Sequence, residues 1–284
     1  MNTRYFKIAL AVLFVAIVSF FVVRGCVHKK TTVLPPEIPS RVTTPKPPKE
    51  AQIPPIAANT PIPAAPARMA IILDDWGNNF SLTKDAIAVG RPLTLSILPN
   101  LPQSKRIAEE AFNNHLGVML HMPMQPKSKK QPLEPHTIMT TTLDKTIVRY
   151  LDAALLSVPH AEGVNNHQGS AATSDLRVMR TVLKHLKEKG LFFVDSDVAA
   201  STVGPQVAKE VSIPFTKRNV FIDNIAKVDN IKIELKAAER IALSKGRVVV
   251  IGHDKKATLQ AIREMVPEFE KNGIKLVLVK ELVG

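Results

Sequence analysis

The sequence predicts an α/β fold on parallel strands, closed or nearly closed into a (β/α) barrel, and three observations predict it. Short apolar runs recur through residues 68–284, segments of helical spacing separate them, and six of the runs end in a residue able to bind a metal or move a proton. Fully buried parallel strands read as continuous apolar runs, and the active residues of α/β folds collect at the carboxyl ends of their strands. A doubly wound open sheet is the alternative, but no Gly-rich dinucleotide fingerprint follows the first run. The segment found there, Asp74-Asp75-Trp76-Gly77-Asn78-Asn79, is acidic and would repel a phosphate.

Taken in order, Ala70-Ile71-Ile72-Leu73 delivers Asp74-Asp75, Gly117-Val118-Met119-Leu120 delivers His121, and Gly163-Val164-Asn165-Asn166 delivers His167. Leu191 to Val194 then leads to Asp195-Ser196, Val220 to Ile222 leads to Asp223, and Val248 to Gly252 leads to His253. Two further runs, Leu93 to Leu98 and Ile274 to Val279, read as strands without polar chemistry at their ends, giving about eight strands. Helices are expected over 82–89, 105–114, 145–156, 176–189, 229–245 and 257–271. Ser or Asp stands before several of these, and Gly190, Gly246 and Gly273 follow others, as caps require. Apolar residues recur three or four apart within them, as in Leu259, Ile262, Val266 and Phe269.

Residues 1–30 and 31–67 do not share this pattern. Ile8 to Val23 is apolar apart from Ser19 and is flanked by Arg4, Lys7, Arg24, Lys29 and Lys30, which marks a membrane-targeting segment. No small-x-small cleavage site follows it, which favours an uncleaved anchor over a signal peptide. Gly25-Cys26 resembles the end of a lipoprotein box, although Arg24 stands where a small residue belongs. With the short N-terminal tail inside, the anchor predicts a single-pass protein of the cytoplasmic membrane with its large domain on the periplasmic side. Thr31 to Pro66 holds 11 of the 22 prolines and has no periodicity, so it reads as a Pro-rich spacer rather than part of a core.

The net charge of +13 does not indicate nucleic acid. Residues 1–67 carry eight Lys and Arg against two Asp and Glu, leaving a dispersed 30 against 23 for the rest, with two Tyr and one Trp for stacking. A positive domain outside the cytoplasm suits anionic envelope material. Cys26 is the sole cysteine, so any metal in the domain must be held by His, Asp, Glu or Asn.

Adjacent aspartates at a strand end diverge, so one can bind a metal while the other handles a proton. With His121 and His167 they make a carboxylate-plus-two-histidine set with open positions, a composition usual for catalytic zinc or another divalent first-row metal. His253, at the end of a long buried run, is the candidate general acid, and Gly252 before it would permit a close approach of backbone or substrate. Asn165, Asn166, Gln168 and Ser170 form a polar cluster around His167 that could orient ligands or hold sugar hydroxyls. Asp195, Ser196 and Asp223 are candidates to back the histidines by hydrogen bonds. His115, His136, His160 and His185 sit in helical or loop contexts and read as surface or structural residues.

These six motifs, in this order, resemble the divergent polysaccharide deacetylases, a group within the NodB-like superfamily. The resemblance covers Ala70 to Gly284. It implies a distorted (β/α) barrel and a zinc-dependent hydrolase of N-acetyl or O-acetyl groups on a carbohydrate. It implies Asp74 as base, Asp75 as metal ligand and His253 as general acid. The better-known deacetylases take both histidine ligands from one His-x-x-x-His motif. Here Gln125 stands four residues after His121, and His167 is expected to replace the missing ligand.

Three functions therefore compete: a membrane-anchored carbohydrate deacetylase of the cell envelope, a non-catalytic glycan- or partner-binding protein on the same fold, and a metal-free glycosidase using Asp74 and Asp195.

Overall fold

A computed structural model describes residues 66–284. The expected anchor, the greater part of the Pro-rich spacer and Cys26 lie outside the described residues. No helix among the described residues is long and apolar enough to cross a membrane.

The chain begins with β1 (Ala67–Trp76), α1 (Ser81–Ile87), β2 (Thr94–Ile97), α2 (Ser104–Asn113), β3 (Gly117–Met124), α3 (Asp144–Ser157) and β4 (Gly163–Gln168). It continues through α4 (Leu176–Glu188), β5 (Phe192–Asp195), α5 (Gly204–Val211), β6 (Phe215–Lys217) and β7 (Val220–Phe221). It ends with α6 (Val228–Lys245), β8 (Arg247–His253), α7 (Lys256–Lys271) and β9 (Ile274–Val277). Six helices match the expected spans to within two residues at each end. Asp175 caps α4 by accepting from Val178 N at 2.9 Å, and Gly246 ends α6 in the left-handed conformation, φ +75°.

Two elements were not expected. β6 is three residues long and not apolar, and α5 opens on Gly204-Pro205, so neither carries a periodic signal.

Every strand pair is parallel, in the order β6-β5-β4-β3-β2-β1-β8-β7, with β9 added to the first half of β1. The two ends of this order are consecutive pieces of chain. One segment pairs with β5 through Phe215–Lys217, crosses at Arg218-Asn219, and pairs with β8 through Val220-Phe221. Arg218 N donates to Asp195 O at 3.0 Å and Asn219 N to Val249 O at 2.8 Å, carrying the crossing over. The short pairings at this junction make the barrel incomplete and distorted.

Alternation along the strands divides the core into two layers. Ile71, Leu73, Val118, Leu120, Phe193, Val248 and Val250 face outward and pack under the helices. Ala70, Ile72, Met119, Phe192, Val194, Val249 and Ile251 face inward. Val277, Val279 and Leu282 join the inner cluster.

Candidate metal centre and catalytic cleft

The inward layer turns polar within one residue pair of the strand ends. Ser96, His121, Asn165, Ser196, Asp74 and His253 continue the same alternation that puts Ile72, Met119, Val194 and Ile251 inside. The registers align them: His121 lies opposite Asn165 across β3 and β4, and Asp74 lies opposite His253 across β1 and β8. Asp74, His121, Ser196 and His253 line a cleft of about 400 Å³ together with Asp75, Asn166, His167, Arg218 and Phe221, while Ser96 and Asn165 lie fully buried behind it.

Asp75, His121 and His167 converge. His121 Nε2 is 3.3 Å and His167 Nδ1 is 3.0 Å from Asp75 Oδ1, and the two ring nitrogens are 3.2 Å apart. Asp75 Oδ1 is buried yet makes no hydrogen bond. An unpartnered buried carboxylate oxygen is costly, and donors held about 2.0–2.2 Å from one ion stand roughly 2.8–3.6 Å apart between octahedral and tetrahedral angles. The oxygen and two imidazole nitrogens therefore fit a divalent first-row ion both in spacing and in chemistry. Burial opposes charge on Asp75, but His121 and His167 outweigh it and hold this carboxyl far below the ordinary range.

His121 is buried, with Nδ1 2.7 Å from Asn165 Oδ1, so in the neutral ring the proton sits on Nδ1 and Nε2 is the free nitrogen facing Asp75. Without an ion, burial lowers its pKa, but Asp74 and Asp75 raise it to about 9.

Asp74 lies at the other side of the set, its Oδ2 3.7 Å from His121 Nε2 and its Oδ1 accepting from Asn165 Nδ2 at 2.8 Å. Burial pushes its carboxyl above the ordinary range, against the pull of His121 and Asn165. His253 faces the cleft with Nε2 3.6 Å from Asp75 Oδ2. Its Nδ1 lies 2.8 Å from Asp223 Oδ1, while Asp223 Oδ2 accepts from His253 N at 2.9 Å and from Thr258 Oγ1 at 2.8 Å. Burial lowers the pKa of His253, but Asp223 raises it further, leaving it above the usual imidazole range.

Other expectations meet a different geometry. Asp195 does not back a histidine. It shares the outward parity of Phe193, accepts from Thr202 Oγ1 at 2.6 Å and Asp197 N at 2.8 Å, and stays out of the cleft. The carboxylate pair of Asp74 and Asp195 that glycoside hydrolysis requires is therefore not formed. Ser196 bonds Asn165 and Asn166 rather than an imidazole. Asn166 accepts from Ser196 N at 2.9 Å and donates to Gln168 O at 2.7 Å, tying β4 to β5. Gly252 makes room for protein rather than substrate, since a Cβ there would stand 2.9 Å from Ile222 Cγ1 and 3.0 Å from Thr258 Cγ2. Gln125 points away from the centre: its Oε1 accepts from Thr140 N at 2.6 Å and its carbonyl from Ala171 and Ala172.

Of the remaining histidines, His160 meets Glu109 and His185 meets Asp152, both away from the cleft. The sequence reading missed the joint role of Ser96 and Asn165. The signal available for them was parity: each lies one residue from outward-facing apolar neighbours on its own strand, Leu95 and Ile97 for Ser96 and Val164 for Asn165.

Comparison with known proteins adds relatives. The family model described as divergent polysaccharide deacetylase matches residues 71–283. YibQ, an uncharacterised protein of Escherichia coli K12, is 32% identical over 211 residues, 74% of this chain and 65% of that protein. The chain thus spans just under two thirds of that relative's length. An uncharacterised protein of Agrobacterium tumefaciens C58 superposes with a TM-score of 0.73 at 23% identity, covering 78% of this chain and 91% of that one. A family 4 carbohydrate esterase from Streptomyces lividans, solved in complex with acetate, superposes with a TM-score of 0.51 at 15% identity, covering 76% and 94%. At such identities the two solved structures show the fold.

Proposed function

From the premise that this chain belongs to the divergent polysaccharide deacetylase family, we propose that it is a metal-dependent hydrolase removing acetyl groups from a carbohydrate of the cell envelope. The observation carrying this reading is the convergence of Asp75 Oδ1, His121 Nε2 and His167 Nδ1 within 3.3 Å of one another, with Asp74 and His253 beside them. Residues 1–30 would hold the protein in the cytoplasmic membrane and residues 31–67 would space the domain from it on the periplasmic side.

Asp75, His121 and His167 would hold the ion, zinc being the first candidate. Once bound, such an ion polarises a carbonyl and makes water acidic enough to act as nucleophile near neutral pH. The chain's own residues supply the proton transfers. Asp74 is fixed through Oδ1 by the Asn165 amide, which leaves Oδ2 to take the proton of the attacking water. His253 is held through Nδ1 by Asp223, so Nε2 can carry a proton to the leaving amine or alkoxide. Asp223 favours the protonated imidazole, the form a general acid needs.

The test is acetate release from acetylated envelope glycans by the zinc-loaded protein, beside Asp74→Asn and His253→Ala. Turnover abolished in both, with zinc retained, supports the hydrolase. A wild-type protein that binds zinc and glycan yet releases no acetate would instead be a binding protein on a deacetylase fold.

A further inference from the structure

The metal side and the proton-accepting side of the cleft are joined by one amide. Asn165 has no exposed surface. Its Oδ1 accepts from Ser96 Oγ at 2.5 Å and lies 2.7 Å from His121 Nδ1, while its Nδ2 donates to Asp74 Oδ1 at 2.8 Å and Ser196 Oγ at 3.3 Å. Each half of the amide therefore has two partners.

These partners fix the amide's orientation. Ser196 Oγ gives its one proton to Asn166 O, so toward Asn165 it can only accept, and this selects the amide nitrogen for the side shared by Ser196 and Asp74. The oxygen is then turned to His121, whose ring must present a proton at Nδ1 and keep Nε2 bare. Nε2 is the atom that meets Asp75 and His167. A change of side chain at Asn165 thus acts on His121 and Asp74 together.

We propose that Asn165 is a positioning residue that locks His121 in the tautomer able to bind the ion and, through the same amide, holds Asp74 beside it. This rests on the metal-dependent reading of the cleft. Ser96 Oγ donates to the same amide oxygen and so helps to hold it in place.

The experiment is zinc affinity of the full chain, measured by competition with a chromogenic chelator, for wild type, Asn165→Ala and Asn165→Asp. Asp retains an acceptor for His121 Nδ1–H, whereas Ala has none. Outer partners of metal-binding histidines typically contribute 10- to 100-fold to affinity, so Asn165→Ala should bind zinc about 10- to 100-fold more weakly. Asn165→Asp should stay near wild type. Urea unfolding of the metal-free proteins separates lost folding from a lost acceptor. If Asn165→Ala does not fold, nitrogen-15 spectra of the zinc-loaded wild type serve instead: a proton on Nδ1 of the His121 ring supports the proposal and one on Nε2 overturns it. Unchanged affinity in Asn165→Ala, or equal weakening in Asn165→Asp, overturns it while leaving the metal site standing. A wild-type chain that takes up no zinc overturns both.

Discussion

Asp74 and Asp75 are neighbours in the chain, yet both carboxylates enter one cleft because Asp75 is left-handed, with φ +67°. In a regular strand Asp75 would share the outward parity of Leu73 and face the helices. The register between β1 and β2 breaks between Leu73 and Trp76, and the changed backbone returns the second carboxylate to the inside. Such a conformation costs a residue with a Cβ roughly 1–2 kcal/mol, and Asn and Asp bear it better than most.

Two substitutions separate the charge of Asp75 from its backbone. Asp75→Asn should fold as well as wild type in the presence of chelator and lose zinc binding. Asp75→Ala should lose zinc as well and be about 1 kcal/mol less stable than Asp75→Asn in urea. Equal stability of the two variants would mean that the left-handed turn is not a burden on β1.

The Asp223–His253 pair predicts a pH dependence of stability in the metal-free protein. Burial works against the charge of Asp223, but His253 and Thr258 lower its pKa to about 2. A carboxyl depressed on folding stabilises above its unfolded pKa of about 3.9, and that stabilisation is lost as pH falls toward 2. His253 is raised, so its share is present below about 6.5 and lost as pH rises through its folded pKa. Asp223→Asn should therefore cost on the order of 2 kcal/mol near pH 5 and almost nothing near pH 2. Urea midpoints of both proteins across this range would check it; a constant difference would show that the ion pair is not its source.

Gly252 predicts an effect on the same pair without touching it. A methyl group there would press on Thr258 Cγ2 and Ile222 Cγ1, and Thr258 Oγ1 is a donor to Asp223. Gly252→Ala should reduce acetate release while leaving zinc affinity unchanged, because the displacement reaches His253 and not Asp75, His121 or His167. Zinc affinity lowered along with turnover would mean that the strain spreads through β8 to β1.

Much of this site was legible because a polar residue that abruptly ends an apolar run stands out in a single sequence. Asp74, Asp75, His121, His167, Asp223 and His253 were all found in that way. Asp195 ends its run just as abruptly but faces outward, and deciding between Asp195 and Ser196 requires knowing which parity of β5 is inside. That choice is set by the barrel as a whole, through neighbours such as Met119 and Ile251. Asn165 and Ser96 lie within their runs rather than after them, so their meeting depends on strand register. β6 was invisible because Phe215-Thr216-Lys217 is too short to show a pattern, although it begins the crossing from β5 to β8.

The replacement of a His-x-x-x-His spacing by His121 and His167 leads to the last prediction. Gln125 occupies the position four residues after His121, but its side chain accepts from Thr140 N, and its backbone holds Ile138, Ala171 and Ala172. A histidine there would be directed into these loops, whereas His167 extends β4 beside β3 and reaches Asp75 directly. His167→Ala should therefore lose zinc, and adding Gln125→His should not restore it. Chelator competition on the single and double variants checks this. Recovery of zinc by the double variant would show that position 125 can reach the ion, and would remove the reason for giving His167 the third ligand.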